Sequence, residues 1–232
     1  MRVVLCFALI VAAIPVFAKD GVVVRWVEGE QGCTFSADDD GLYRYGLWKD
    51  DYGLVMAVDA DETRKAIHRT EPTFAVLLTV RYRGQESMNV DPAGISLEFV
   101  KHDDDVQAAV NPDVLAATLR QDADRATEEI KREVGKHPDR ATDRLTALAD
   151  ERKSIQATIE FLKGNSLLAG RLDPTRPEMS GWVFFSAKSK WIGGWKKQEE
   201  FVLRVPIAGE TNEFFFALPP SHGDFVLRRR QE

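Results

Sequence analysis

The sequence predicts a mainly β protein with an α insertion: an antiparallel β-sandwich interrupted by one long antiparallel helical hairpin. Three observations carry this expectation. Short apolar, β-branched and aromatic runs separated by Asp/Gly/Pro clusters fill residues 20–101 and return at Ser180. Between them, residues 111–164 change to an Ala-, Arg-, Glu- and Asp-rich texture with helical spacing. The strand runs carry few helical signals of their own, which argues against a parallel βαβ arrangement.

Composition sets the outer bounds. The chain has 232 residues, 44% of them hydrophobic and 29% charged, as in an ordinary globular protein rather than a disordered or fibrous one. The formal charge of −6 leaves no basic excess to neutralise phosphates, so no nucleic acid is expected as a partner. Residues 1–18 read as a signal peptide. Arg2 supplies a positive start, residues 3–16 are apolar apart from Pro15, and Val16 and Ala18 suit the −3 and −1 positions of a cleavage site before Lys19-Asp20. The apolar run is shorter than the roughly 20 residues of a membrane-spanning helix, and no later stretch is long and apolar enough to span, so no transmembrane segment is expected in the mature chain. Export to the periplasm, cell surface or extracellular space follows. Cleavage removes Arg2 and Cys6, deepens the charge from −6 to −7, and leaves Cys33 as the single thiol. The fold then rests on its core without an internal disulfide, and Cys33 reads as a small apolar residue at a strand start.

The first part of the sandwich is expected over 19–106. Val22 to Val27 is β-branched and aromatic and closes at Gly29. Leu42–Trp48 precedes a turn over 49–53, and Leu54 to Val58 is a continuous apolar run suited to a strand buried on both faces. Phe74, Val76, Leu78, Val80 and Tyr82 alternate with Ala75, Leu77, Thr79, Arg81 and Arg83, a period of two. Residues 96–100 alternate in the same way.

The helical insertion is expected over 107–164. Asn111 is an N-cap, Pro112 suits the first helical position and Asp113 complements the helix dipole. The first helix is expected to run to Val134 and break at Gly135-Lys136-His137-Pro138. The second is expected over 139–163, with Gly164 as its C′ residue. Leu145, Leu148, Ile155, Ile159 and Leu162 share a heptad seam with Arg152. Leu119, Ala123, Ala126 and Ile130 form a smaller one. Each arm is roughly 35 Å long at 1.5 Å per residue. The second part of the sandwich, 165–232, brings strands at 181–185, 200–205 and 214–218, and a short segment at 225–227.

The runs Gly181-Trp182-Val183-Phe184-Phe185 and Phe201-Val202-Leu203-Arg204-Val205, with the Phe-rich strand at 214–218, resemble small bacterial exported Ig-like β-sandwich domains of unknown function. The resemblance covers residues 73–100 and 180–218. It implies an Ig-like sandwich and export, and carries over no catalytic residue.

Chemistry-bearing motifs are sparse. His68, His102, His137 and His222 stand far apart, and one mature cysteine makes no zinc set, so no metal and no cofactor is expected. Asp38-Asp39-Asp40-Gly41 lacks the following Glu of a calcium loop, and His102-Asp103-Asp104-Asp105 reads as a solvated turn. Ser221-His222-Gly223-Asp224 has hydrolase letters, but sequence neighbours do not make a triad. No nucleophile elbow or phosphate-binding glycine loop occurs.

Two features point to function. So long a hairpin needs a surface for its apolar seam, and Leu115, Leu119, Ile130, Leu145, Leu148, Ile155, Ile159 and Leu162 are the candidate partner-binding residues; packing of the hairpin on the sandwich is the plainer reading. The second is 188–197, where Lys188, Lys190, Trp191, Trp195, Lys196 and Lys197 surround Gly193-Gly194 without an acid. These side chains suit an anionic or sugar polymer, or simply a solubilised β-hairpin. The expected function is therefore an exported, non-enzymatic binding or assembly protein of the bacterial envelope. An unknown protein partner or a second copy would be met through the hairpin. The alternatives are a carbohydrate- or envelope-polymer-binding module using the Trp/Lys loop, and an envelope hydrolase with an unidentified acid site.

Overall fold

The computed structural model describes residues 22–63, 72–103, 105–136, 141–187 and 198–219. The expected signal peptide, the Trp/Lys loop at 188–197, the Ser221-to-Asp224 motif and the segment at 225–227 lie outside the described residues.

Among the described residues, two five-stranded sheets and one small ribbon carry the β structure. The first sheet contains β1 (Val22–Arg25), β7 (Ser96–Phe99), β8 (Asp105–Ala108), β11 (Glu199–Ile207) and β12 (Glu210–Leu218), in the order β1-β12-β11-β7-β8. The second contains β2 (Cys33–Ala37), β3 (Leu42–Trp48), β4 (Tyr52–Asp59), β5 (Thr73–Tyr82) and β10 (Glu178–Ser186), in the order β10-β5-β4-β3-β2. The ribbon pairs β6 (Met88–Val90) with β9 (Gly170–Leu172). Neighbouring strands are antiparallel except for β1, which joins β12 in parallel. Two helices, α1 (Pro112–Lys136) and α2 (Ala141–Asn165), separate β8 from β9.

The period of two in β5 sets the core. Phe74, Val76, Leu78 and Val80 are fully buried and point at the other sheet, where Phe99, Phe201, Leu203, Phe214 and Phe216 meet them. The Phe74 ring lies 4.7 Å from Phe201 and 6.2 Å from Phe99, centroid to centroid, so aromatic packing ties the sheets face to face. No residue of either helix belongs to this core.

The main strands fall where alternation and β-branched runs place them, and three short ones do not. β6, β8 and β9 have three or four residues each, too few to display a period. β8 continues the first sheet to Ala108, inside the expected insertion, and the helical excursion begins at Pro112. Both expected helix stops also differ. α1 continues through Gly135 to Lys136, and α2 passes Gly164 and ends at Asn165. There the Asn165 side chain donates to the Phe161 carbonyl, and Ser166 donates to the Leu162 carbonyl from both its amide and its hydroxyl. Side-chain donors satisfy the last carbonyls, so no glycine in a left-handed conformation is required.

Candidate functional site

The base of the hairpin is built by local capping and by the outer face of the second sheet. Asn111 Oδ1 accepts from the Asp113 amide at 2.8 Å, and the Asn111 carbonyl accepts the first helical bond from Leu115. Just before it, the Val110 amide donates to the Phe184 carbonyl; just after α2, the Leu167 amide donates to the Trp182 carbonyl. Both ends of the insertion are thus tied to β10. A Cβ at Gly181 would sit 2.4 Å from the Leu167 amide nitrogen, so glycine is what lets the chain leaving α2 lie against that strand.

Leu115, Ala116 and Leu119 from α1 and Ile159 and Leu162 from α2 form a second, smaller apolar cluster with Ala75 and Phe184. Ile155 and Trp182 are packed at its edge, and the Phe161 ring lies 6.2 Å from Trp182. Only the first turns of α1 and the last turns of α2 take part. Farther along, Ala123, Thr127 and Leu148 are buried, while nearly every other described position out to Lys136 and back from Ala141 is exposed or half-buried. Polar contacts hold this arm in register: Arg144 pairs with Glu133, and Arg152 reaches the Thr127 hydroxyl at 3.5 Å and the Asp124 carboxylate at 3.8 Å. The helices close on each other, so the arm stands on the sheet by its base.

This placement divides the eight candidate seam residues. Leu115, Leu119, Leu148, Ile159 and Leu162 are buried within this chain, and Ile155 is half-buried beside them. Their apolar surface is spent at the base and between the helices. Ile130 is half-buried and Leu145 is 46% exposed. The Glu133–Arg144 pair puts Leu145 at the same level of the arm as Ile130 and the half-buried Val134. Val114 and Phe161, which the seam does not include, are exposed nearer the base. Lys188, Lys190, Trp191, Trp195, Lys196 and Lys197 lie outside the described residues.

The acidic turn before β3 has an internal use. Arg44 donates to Asp38 at 2.7 Å and to Asp40 at 2.5 and 3.1 Å, and its guanidinium holds the Asp40 carboxyl down at about 2. His102 meets the buried Glu199 carboxylate at 3.1 Å. Among the described residues, no group of three or more His, Cys, Asp or Glu is arranged to hold a metal ion. Cys33 is half-buried against the main core and accepts from the Val27 amide at 3.4 Å.

A polar cleft of about 910 Å³ lies where the β3–β4 turn, the residues after β5 and the β11–β12 turn meet. Lys49 Nζ donates to Glu210 at 2.7 Å. The Tyr52 hydroxyl lies 3.0 Å from the same carboxylate and 3.1 Å from Asn212 Oδ1. The Lys49 hydrogen bond lowers the Glu210 carboxyl, and burial pushes the Tyr52 phenol up to about 12. These hydrogen bonds join the start of β4 to the start of β12 across the end of the sheets. Its members come from the β3–β4 turn and from the starts of β4 and β12, about 160 positions apart in the sequence, and the sequence reading did not single them out.

No family model, curated protein or solved structure matches this chain.

Proposed function

We propose that this is an exported, non-enzymatic binding or assembly protein of the bacterial envelope, whose immunoglobulin-like sandwich carries a helical arm that contacts a protein partner or a second copy. The carrying observation is the arm's packing: buried at its base, closed between its helices, and exposed along its outer surface, where Leu145 is uncovered and Ile130 half-buried. A pair of 25-residue helices is longer than the sheet contact requires, and its exposed faces suit helix-to-helix recognition. Export rests on the leader-like residues 1–18 and predicts a mature chain beginning at Lys19, which N-terminal sequencing of the exported protein reads directly.

The contact is tested in the source's envelope with a photo-crosslinking side chain placed in turn at positions 145, 130 and 106. A discrete adduct from 145 and 130, and none from 106 on exposed β8, is the expected result. Equal labelling from all three positions, or no adduct from the arm, would overturn it.

A further inference from the structure

β12 has a strand partner along only part of its outer side. β1 joins it in parallel from Glu210 to Glu213, where the Trp26 amide donates to the Glu213 carbonyl at 2.8 Å. The chain then leaves for the second sheet: the Trp26 indole donates to the Thr34 carbonyl, and its ring lies 5.0 Å from Tyr45. Phe214 to Leu218 pair with β11 on their inner side, and among the described residues no strand pairs with them on the other. Strand alternation points the amides and carbonyls of Phe215 and Ala217 the same way as the Glu213 carbonyl, out along this edge. The edge is wholly apolar, Phe-Phe-Phe-Ala-Leu, and Phe215 is 52% exposed. It has none of the Lys, Pro or inward charge by which edge strands are ordinarily kept from pairing with other chains.

We infer that this edge is filled by the chain's own segment Phe225-Val226-Leu227, which adds to β12 as an antiparallel strand in line with β1. The segment starts beside the edge it fills. Gln198 holds the Pro219 carbonyl at 2.9 Å just past the end of β12, and the six residues 219–224 separate Leu218 from Phe225. Two of the six are prolines, which stop the ladder, and Ser221, Gly223 and Asp224 are turn formers. So short a tether gives an effective concentration on the order of millimolar, an advantage that a second copy does not have. The side-chain pattern agrees. With Phe225 opposite Leu218, Phe225 and Leu227 turn inward beside Leu218 and Phe216, at an aromatic margin built from Trp26, Phe35, Tyr43 and Tyr45. Val226 and Arg228 turn outward beside Ala217 and Phe215, where the Arg228 stem covers the exposed ring. Arg228-Arg229-Arg230 then run towards the end of β1, and the exposed acids Glu28 and Glu30 follow that strand. The inference is independent of the partner contact at the arm.

The test is amide hydrogen exchange, read by NMR on the chain 19–232 at low and high protein concentration, with Phe225→Asp and Leu227→Asp beside it. The Phe215 and Ala217 amides are expected to be protected in the parent equally at both concentrations, and each variant is expected to speed their exchange by at least about tenfold. The Leu203 amide on central β11 should stay protected in all three proteins, which shows that the sheets remain folded. Fast exchange of both edge amides in the parent would overturn the inference, as would unchanged protection in the two variants. Protection that appears only at high concentration would overturn it in favour of a second copy on the edge.

Discussion

Arg44 shows how one side chain can take up an acidic turn that the sequence leaves without a partner. Asp38-Asp39-Asp40 reads as a cluster of free carboxylates, yet β3 brings Arg44 back over the turn, where it takes two of the three. Hydrogen bonds from Arg44 and from the Leu42 amide favour the charged form of Asp40 and depress its pKa to about 2. A carboxylate with a depressed folded-state pKa contributes stability above its ordinary value near 3.8, and that contribution is lost as pH falls towards 2. Carbon-detected NMR titration should place the Asp40 midpoint about two units below an ordinary aspartate. In Arg44→Met it should return close to the ordinary range; an unmoved midpoint would mean that the Leu42 amide alone sets it.

At the scale of elements, the hairpin uses one apolar seam for two purposes, attachment near its base and helix pairing beyond it. Ile159 is 1% exposed among Ala75, Phe184 and Leu162. A carboxylate there loses water without gaining a partner, so Ile159→Asp is expected to cost about 3–5 kcal/mol in urea unfolding. Leu145→Asp places the same charge in solvent and should stay within about 0.5 kcal/mol of wild type while abolishing the crosslink from the arm. Equal destabilisation by both would show that the arm lies against the sheets along its length. The seam residues were legible from spacing; which of them remain exposed was not, because periodicity marks an apolar face without saying what covers it.

For the molecule as a whole, the two apolar clusters predict separable behaviour. The main core contains no helical residue, and both ends of the insertion are anchored to successive parts of β10, so a short linker can join them. Replacing residues 112–163 with a flexible linker uncovers Phe184 and Trp182 but leaves the ring cluster of Phe74, Phe99, Phe201 and Phe216 in place. A single cooperative thermal transition, lowered by roughly 10 °C, is expected by calorimetry. Loss of cooperativity would show that the sheets depend on the arm.

The sequence by itself determined the long strands, the cap at Asn111 and the existence of a helical pair, because alternation, capping chemistry and heptad spacing act between near neighbours. Only the tertiary structure decided the rest. Phe214 to Leu218 form an edge only because β1 joins β12 no farther than Glu213. Lys49, Tyr52, Glu210 and Asn212 meet only where the β3–β4 turn and the starts of β4 and β12 converge. Strand register and the packing of one face on another are long-range choices, fixed by which side chains the whole chain can bury together.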